Sequence, residues 1–397
     1  MAAFFIMVVN HGVGSSFGVF FKPLLADLRW TRAMTSGAFS FAKVVQGLSS
    51  IVIGRLTDRF GPRMVMTLCG ILLGLGYLLM SQTSAPWQLY LFYGVIIGSG
   101  MGGSFIPLTS TVARWFVERR SMMTGIVLAG MGTGILIGAP VAARLISAYD
   151  WRVSYIILGS TVLVLIASAS QLLRRDPTQV GQRPYGESKD EESRSVLATQ
   201  FFTLREAVHT RQFWLLCSSF FCYAFCHFAI VVHIVPHITD LGFSATTAAY
   251  ILATIGGGSI IGKVVLGSAA DRIGNRLAMI IGFIFLSAAL FWLVPATEVW
   301  MLYLIAGVMG FAQGGCSTTQ SPLVATLFGL GSHGVILGAL SPSFNMGAAA
   351  GPFLAGYVFD FTGSYQVAFL VCAAIGVVGL LSTALLTPTK TRLVEFT

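Results

Sequence analysis

Long apolar runs alternate with short charged turns along the whole chain. A helix needs roughly 20 apolar residues to cross a bilayer. That length predicts an all-α membrane protein with twelve transmembrane spans, over residues 3–26, 33–54, 64–82, 87–112, 121–144, 152–173, 212–238, 244–268, 277–295, 299–326, 334–357 and 365–386. The first run leads directly into a charged turn and a second span. We therefore expect it to be retained as span 1 and not cleaved as a signal peptide.

One charged turn, between spans 2 and 3, is repeated between spans 8 and 9. The sequence GRLTDRFGPR at 54–63 returns 213 positions later as GSAADRIGNR at 267–276. The shared residues are Gly54, Asp58, Arg59, Gly61 and Arg63 in the first copy, and Gly267, Asp271, Arg272, Gly274 and Arg276 in the second. The charges place both turns at a water interface, and the glycines suit tight turns and close helix approach. Such a parallel repeat predicts two pseudo-symmetric six-helix bundles, over 1–174 and 211–397.

The two bundles are separated by a polar, charged segment, which we interpret as a linker over residues 175–210. Its last part, over 201–208, has the composition of an amphipathic interfacial helix. Seventeen Lys and Arg residues lie on the side of the linker, and four lie in the turns of the opposite side. Because cytoplasmic loops carry the excess of basic residues, we expect both termini in the cytoplasm. The expected location is the cell membrane, the inner membrane in a bacterium.

Composition excludes other classes of protein. The chain is 55% hydrophobic and 10% charged, whereas soluble domains carry about 25% charged residues. The net charge of +9 is confined mainly to turns and linker, which does not favour nucleic-acid binding. All six cysteines lie in apolar runs, so we expect free thiols, no metal and no cofactor. No nucleophile–base spacing or nucleotide loop is found, so we do not expect an enzyme.

Candidate chemistry comes from polar groups inside the spans. All fifteen Asp and Glu residues lie in turns, linker, tail or helix ends, but Lys43 and Lys263 lie within spans 2 and 8. A cation in the bilayer costs about 2.5–3.5 kcal/mol on insertion scales, and a negatively charged substrate offsets this cost. Lys263 is therefore the main candidate for substrate binding, with Ser259 one turn earlier on the same face. The alternatives are snorkelling of Lys263 to the interface and, for Lys43, bonding to carbonyls between helices.

Histidines and amides complete the candidate site. His11 follows Asn10 in span 1, and His233 lies in the outer half of span 7. An imidazole binds an anion when charged or carries a proton near neutral pH, although a neutral ring bonded to a backbone carbonyl is equally compatible with the pattern. Gln313 in span 10 and Asn345 in span 11 line either a cavity or a helix contact. The predicted proton carriers are His11, His233 and Lys263.

Both charged turns resemble the signature of the major facilitator superfamily. Within it, the chain is similar to the monocarboxylate transporter and oxalate:formate antiporter group. The similar segments are WFVERRSMMTG at 115–125, WR at 151–152, GPFLAG at 351–356, Asp360 and TGSY at 362–365. This resemblance implies a central site at which a helix 8 cation, usually Arg, binds the substrate carboxylate. Lys263 occupies the matching position.

The chain departs from that group in three places. Asn10-His11-Gly12 replaces an acidic-Gly-Gly pattern, and Ser259 replaces the acidic residue of proton-coupled relatives. The helix 11 basic residue of oxalate exchangers has no counterpart in residues 343–346, which does not favour divalent oxalate. The resemblance implies a monomeric transporter that carries small organic anions such as lactate or pyruvate, with a proton, by alternating access. Alternatives are an oxalate/formate-like exchanger, a drug or sugar transporter and a non-transporting membrane sensor.

Overall fold

The computed structural model describes residues 1–103, 105–115, 120–174, 202–328 and 333–387, which are helical without strands. The helices are α1 (Ala2–Ser15 and Phe17–Leu28), α2 (Arg32–Phe60), α3 (Pro62–Met80), α4 (Pro86–Leu89 to Gly98–Met101, then Ile106–Trp115), α5 (Arg120–Ala148), α6 (Trp151–Ser170), α7 (Arg211–Asp240), α8 (Ala245–Ile273), α9 (Asn275–Leu293), α10 (Val299–Phe328), α11 (His333–Thr362) and α12 (Gln366–Ala384). All but α4 and α11 contain a stretch long and apolar enough to cross a membrane, which makes ten among the described residues. Helices therefore occupy all twelve predicted positions.

Helix α4 is the element that differs from its predicted form. The apolar pattern predicts one continuous span over 87–112, but the helix widens into a π-helix at Tyr90–Ile97 and ends at Met101. A second helical segment begins at Ile106. The break coincides with Gly102 and Gly103, and glycine is among the weakest helix formers. Hydrophobic runs do not distinguish π from α geometry, so this feature has no signal in the apolar pattern.

The two charged turns share a backbone conformation. Helix α2 is followed by its C-cap Gly61 with φ 81°, and α8 is followed by the equivalent Gly274 with φ 90°. Residues with a Cβ rarely adopt these positive φ values, whereas glycine does so without strain. The expectation of a tight glycine turn in both copies is confirmed. The side chains of Asp58 and Asp271 lie outside the described residues.

Contacts between the halves run along three helix pairs, α1 with α7, α2 with α11 and α5 with α8. Glycines bring α5 and α8 together, because a Cβ on Gly256 would lie 2.6 Å from the carbonyl oxygen of Gly132. The turns α1–α2, α7–α8 and α11–α12 lie at the end of the bundle opposite the charged turns. We call this end the outer end.

Most of the predicted linker lies outside the described residues. Within residues 202–210 the chain forms a short helix, Leu204–Val208, inside the segment predicted to be helical. Thr203 and Glu206 form a capping box at its N-terminus, and the hydrogen bonds from Thr203 lower the pKa of Glu206. The cap of this helix is thus local, while Phe202 just before it packs against Phe328 of α10, with ring centroids 5.7 Å apart.

Candidate functional site

Lys263 lies on α8 at the contact between the two halves. Its Nζ donates a hydrogen bond of 3.0 Å to the backbone carbonyl of Leu128 on α5. The side chain is half-buried, and no ion pair to it occurs among the described residues. A single neutral acceptor satisfies only one of the three donors of an ammonium group. Lys263 therefore retains the capacity to bind an anion at the boundary between the halves.

Lys263 is part of a group of four basic side chains. The charges of Lys43 and Lys263 both act on the imidazoles of His11 and His227, so both histidines lie within electrostatic range of both lysines. We call these four residues the basic cluster. His11 and Lys43 come from the N-terminal half, and His227 and Lys263 come from the C-terminal half. The cluster concentrates positive charge where the halves meet.

The ammonium group of Lys43 is held mainly by aromatic rings. Its Nζ lies 4.5 Å from the ring centroid of Phe228 on α7 and 5.2 Å from that of Phe39. It donates one hydrogen bond of 3.0 Å to Oε1 of Gln46. Cation–π contacts of this kind stabilise a lysine in an apolar setting. Because Phe228 belongs to the C-terminal half, Lys43 also reaches across the boundary between the halves.

His227 is bound to α10 through Gln313. The Nε2 atoms of the two side chains are 3.3 Å apart, so the Gln313 amide donates to an imidazole whose proton is on Nδ1. Tyr223 stacks on the imidazole, with ring centroids 5.9 Å apart. The Oε1 atom of Gln313 and the hydroxyl of Ser259 are both buried, and neither has a hydrogen-bond partner among the described residues. One unpaired polar atom therefore lies on α10, in the side chain that bonds His227, and one lies on α8, one turn before Lys263.

His233 lies in a second group of residues, at the outer end. Its Nε2 donates to the carbonyl of Pro352 at 2.8 Å, and its Nδ1 accepts from the hydroxyl of Tyr365 at 2.9 Å. The Tyr365 hydroxyl in turn accepts from the guanidinium of Arg32 at 2.6 Å. Both ring nitrogens are thus engaged, and the side chain is fully buried. In this conformation His233 connects α7, α11 and the start of α2.

Ion pairs extend the same group across the outer end. Asp240 at the end of α7 accepts from Lys22 at 2.7 Å and from Arg32 at 2.8 Å. Asp360 at the end of α11 accepts from the backbone N–H groups of Arg32 and Ala33, at 3.0 and 2.8 Å. We call these residues, with Tyr365 and His233, the outer network. It joins the two halves and closes the outer end.

The other predicted site residues lie at helix contacts. Asn345 on α11 packs against Gly47 of α2, and its amide donates to the Ser341 carbonyl of its own helix at 3.0 Å. Asn10 is buried in α1, and His11 forms a 3.3 Å hydrogen bond with the Met7 carbonyl. The structure therefore brings His11, Ser259, Gln313 and Lys263 towards the centre. It places His233 and Asn345 in contacts between the halves.

The last arginine of each charged turn bonds within its own half. Nε of Arg63 donates to Oε1 of Gln171 at 2.7 Å, and Arg276 donates to the carbonyl of Ala384. The first turn also borders a cavity of about 400 Å³, lined in part by Arg59 and Arg174. Each contact joins a turn to the last helix of the same bundle. In this conformation the contacts between halves described above lie elsewhere, at the centre and the outer end.

Several residues of these groups are not among the predicted substrate-binding residues. The sequence shows Lys43 and His227 as polar residues within spans, but it does not show which residues surround them. Tyr365 and Asp360 belong to the C-terminal segment that resembles a transporter family, which was a signal for them. For Arg32 the only signal in the sequence is its position at the start of a predicted span. Its partners lie more than 200 residues away in the chain.

Comparison with known proteins shows the family and several relatives to which this chain is similar. The model of the Major Facilitator Superfamily matches residues 3–264 and 216–396. Monocarboxylate transporter 13 from Bos taurus is 30% identical over 96% of this chain and 86% of its own length. The uncharacterized MFS-type transporter YhjX from Escherichia coli (strain K12) is 27% identical over 78% of this chain and 76% of its own.

A solved structure supports the same fold. It is a bacterial homolog of the human lysosomal transporter Spinster in an inward-facing, unoccupied conformation. The match has a TM-score of 0.76 at 16% identity and covers 96% of this chain and 94% of the other. At this identity the likeness concerns the arrangement of helices alone.

Proposed function

The chain belongs to the major facilitator superfamily, and we propose that it transports small organic anions, foremost monocarboxylates such as lactate and pyruvate. The observation that carries this proposal is the basic cluster at the boundary between the halves. The fifteen acidic residues all lie in turns, linker, tail or helix ends, so the cluster has no carboxylate within the spans to balance it. A bound anion supplies that balance. Similarity to monocarboxylate transporter 13 supports the same substrate class.

Lys263 binds the substrate carboxylate in this proposal, and the neighbouring polar groups orient it. The hydroxyl of Ser259 is available to donate to the substrate carboxylate, and Oε1 of Gln313 is available to accept from a substrate hydroxyl such as that of lactate. His11 and His227 add positive charge when protonated. Asn10, Asn345 and His233 act through the helix contacts that change when the halves move. The halves rock about this site, with both termini in the cytoplasm and a monomer as the transporting unit.

We further propose that transport is coupled to a proton. Without an acidic residue inside the spans, the proton is carried by an imidazole, by Lys263 or by the substrate itself. His11 and His227 are our candidates for this role because both belong to the basic cluster, whose lysines repel a further positive charge. A bound carboxylate reduces that repulsion and favours protonation of the imidazole. Substrate and proton would then bind cooperatively.

Uptake of labelled lactate into proteoliposomes tests both parts. An inward acid gradient is expected to raise the initial rate, and Lys263→Gln is expected to weaken lactate binding about 10- to 100-fold, the loss of one charged hydrogen bond. Lys263→Arg, which keeps the charge, is expected to retain measurable uptake. Absence of uptake and counterflow for lactate, pyruvate, formate and oxalate would contradict the proposed function.

Anion exchange is the second candidate, favoured by the absence of a carboxylate proton carrier within the spans. The charged turns hold the inner ends of the helices in either case, and their arginines serve gating, not substrate binding. Exchange predicts that lactate inside the vesicles accelerates uptake and that the acid gradient has no effect. The same vesicles, loaded or empty, therefore separate the two candidates.

A further inference from the structure

We infer that Lys43 and Phe228 form a cation–π latch between the two halves, which favours the conformation with a closed outer end. The inference goes beyond the proposed function, because it gives Lys43 a part in the conformational change that does not involve the substrate. Lys43 lies on α2 of the N-terminal half, and Phe228 lies on α7 of the C-terminal half. The Nζ atom of Lys43 is 4.5 Å from the centroid of the Phe228 ring. At this distance a cation is attracted to the face of an aromatic ring.

The ammonium group of the latch is fixed on the N-terminal half. Nζ of Lys43 donates to Oε1 of Gln46 at 3.0 Å, and Nε2 of Gln46 donates to the carbonyl of Met101 on α4 at 3.3 Å. Lys43 is 9% exposed, and none of the ion pairs found in the described part of the chain includes it. The two hydrogen bonds therefore hold the charge in place, and no ion pair with a described carboxylate competes with the ring for it.

The aromatic ring of the latch is fixed on the C-terminal half. The centroid of the Phe228 ring lies 4.8 Å from that of the His227 imidazole and 6.1 Å from that of Phe344 on α11, both in edge contacts. The ammonium of Lys43 has a second ring neighbour, Phe39, at 5.2 Å, but this ring belongs to the same helix as the lysine. Of the two contacts between the ammonium and a ring, only the contact with Phe228 crosses the boundary between the halves.

The position of the latch makes it sensitive to conformation. Because α2 and α7 belong to different halves, opening of the outer end moves the ammonium away from the ring, and the attraction is significant only within about 6 Å of the centroid. An interaction that is present in one conformation and lost in another shifts the equilibrium between them. For a desolvated cation–π contact, this shift is about 5- to 30-fold towards the closed outer end. Lys43 is therefore a positioning residue, which acts on the arrangement of the halves through Phe228.

Stepwise fluorination of the Phe228 ring tests the latch in the purified full-length protein without substrate. Replacing Phe228 by phenylalanine analogues with one, two or three ring fluorines weakens the negative potential of the ring face and changes the size of the ring little. Pulsed electron paramagnetic resonance between spin labels at Tyr149 and Glu298, both exposed at the outer end, measures the ratio of open to closed conformations. Each added fluorine is expected to raise this ratio, by about 5- to 30-fold over the series. Because no substrate is present, the result is independent of which anion the protein carries.

Variants of Lys43 separate the cation–π attraction from packing. Lys43→Gln is expected to raise the ratio of open to closed conformations and to remove its dependence on fluorination of Phe228. Lys43→Arg keeps the charge and is expected to preserve that dependence. The matched control is the same fluorinated series at Phe344, which packs on Phe228 but makes no cation–π contact among the described residues. The ratio should stay constant along that series.

A stepwise increase of the ratio at Phe228 that requires Lys43 supports the latch. The series with the native Lys43 tests the inference even if Lys43→Gln does not fold. The inference is overturned if the ratio does not change with fluorination of Phe228, if the change persists in Lys43→Gln, or if the Phe344 series shows the same change.

Discussion

At the scale of the residue, the most informative feature is a buried hydroxyl without a partner. Ser259 is fully buried one turn before Lys263, and its Oγ has no hydrogen bond among the described residues. Leaving such a group unpaired costs about 1–3 kcal/mol. A cost of this size next to the main binding candidate is compatible with a hydroxyl that pairs with substrate. Because this cost falls on the empty protein, removing the hydroxyl should affect stability and substrate binding in opposite directions, and both can be measured.

We expect Ser259→Ala to stabilise the empty protein and to weaken substrate binding. Removing the unpaired hydroxyl should raise the melting temperature, while the increase caused by added lactate should become smaller. Ser287→Ala is the control, because the Ser287 hydroxyl is also buried and unpaired but lies on α9. It should raise the melting temperature without changing the response to lactate. A full lactate response in Ser259→Ala would exclude the hydroxyl from the site.

What the sequence reveals about single residues depends on whether the signal is local. Lys263 is recognisable because a cation stands out in an apolar run, whichever helices surround it. The partners of His233 are not recognisable in this way, because Tyr365 and Pro352 are 132 and 119 residues away. The same holds for Lys43, whose ammonium group packs on the ring of Phe228 from another helix. Composition of one span identifies a polar group, but only packing between spans identifies its role.

At the scale of the element, one helix is capped by a residue of the opposite half. The carboxylate of Asp360 accepts from the N–H groups of Arg32 and Ala33, in the first turn of α2. Helix N-termini leave such donors free, and a carboxylate there also interacts favourably with the helix dipole. The cap lies between the halves. It must therefore break when the outer end opens.

We expect Asp360→Asn to shift the protein towards conformations with an open outer end. The neutral amide loses the charge that strengthens both hydrogen bonds. Pulsed electron paramagnetic resonance between spin labels at Tyr149 and Glu298, both exposed at the outer end, should show a larger fraction of long distances. The six native cysteines are all buried, so labels at the two introduced cysteines dominate the signal.

The matched control for this shift is Asp150→Asn. Asp150 accepts from the N–H of Val153 at 2.8 Å and caps α6 inside a single half. Its substitution removes an equivalent hydrogen bond without touching the boundary between the halves. The distance distribution should therefore stay as in the wild type. An equal shift in both variants would mean that the cap of α2 has no special part in closing the outer end.

At the scale of the whole molecule, the repeated charged turns predict the division into two bundles, and the lengths of the apolar runs predict the number of helices. The repeated turns and the apolar runs can both be read in the sequence without knowing how the helices pack. How the bundles meet is not predictable in this way, because Gly132 and Gly256 resemble many other glycines in apolar runs. Their backbone contact becomes visible only when α5 and α8 are placed side by side. The outer network is not predictable from the sequence for the same reason, because its contacts join helices of different halves.

This backbone contact predicts that Gly256→Ala impairs transport. The added Cβ would lie 2.6 Å from both the Gly132 oxygen and the Leu136 nitrogen, so α5 and α8 must separate. Overpacking of this kind costs about 1–3 kcal/mol, which corresponds to a decrease of about 5- to 150-fold in the uptake rate if it acts on the conformational step. Separation also strains the hydrogen bond between Lys263 and Leu128, so lactate affinity should change as well.

The neighbouring glycine provides the comparison that isolates this effect. A Cβ on Gly257 would meet only the Cδ1 atom of Leu136, at an ordinary 3.6 Å. Both alanine substitutions add the same methyl group to the same helix, so helix propensity and hydrophobicity cancel between them. Gly257→Ala should therefore transport like the wild type, and the rate is measured per mole of monodisperse reconstituted protein. Equal rates for the two variants would show that the halves move without relying on close contact between α5 and α8.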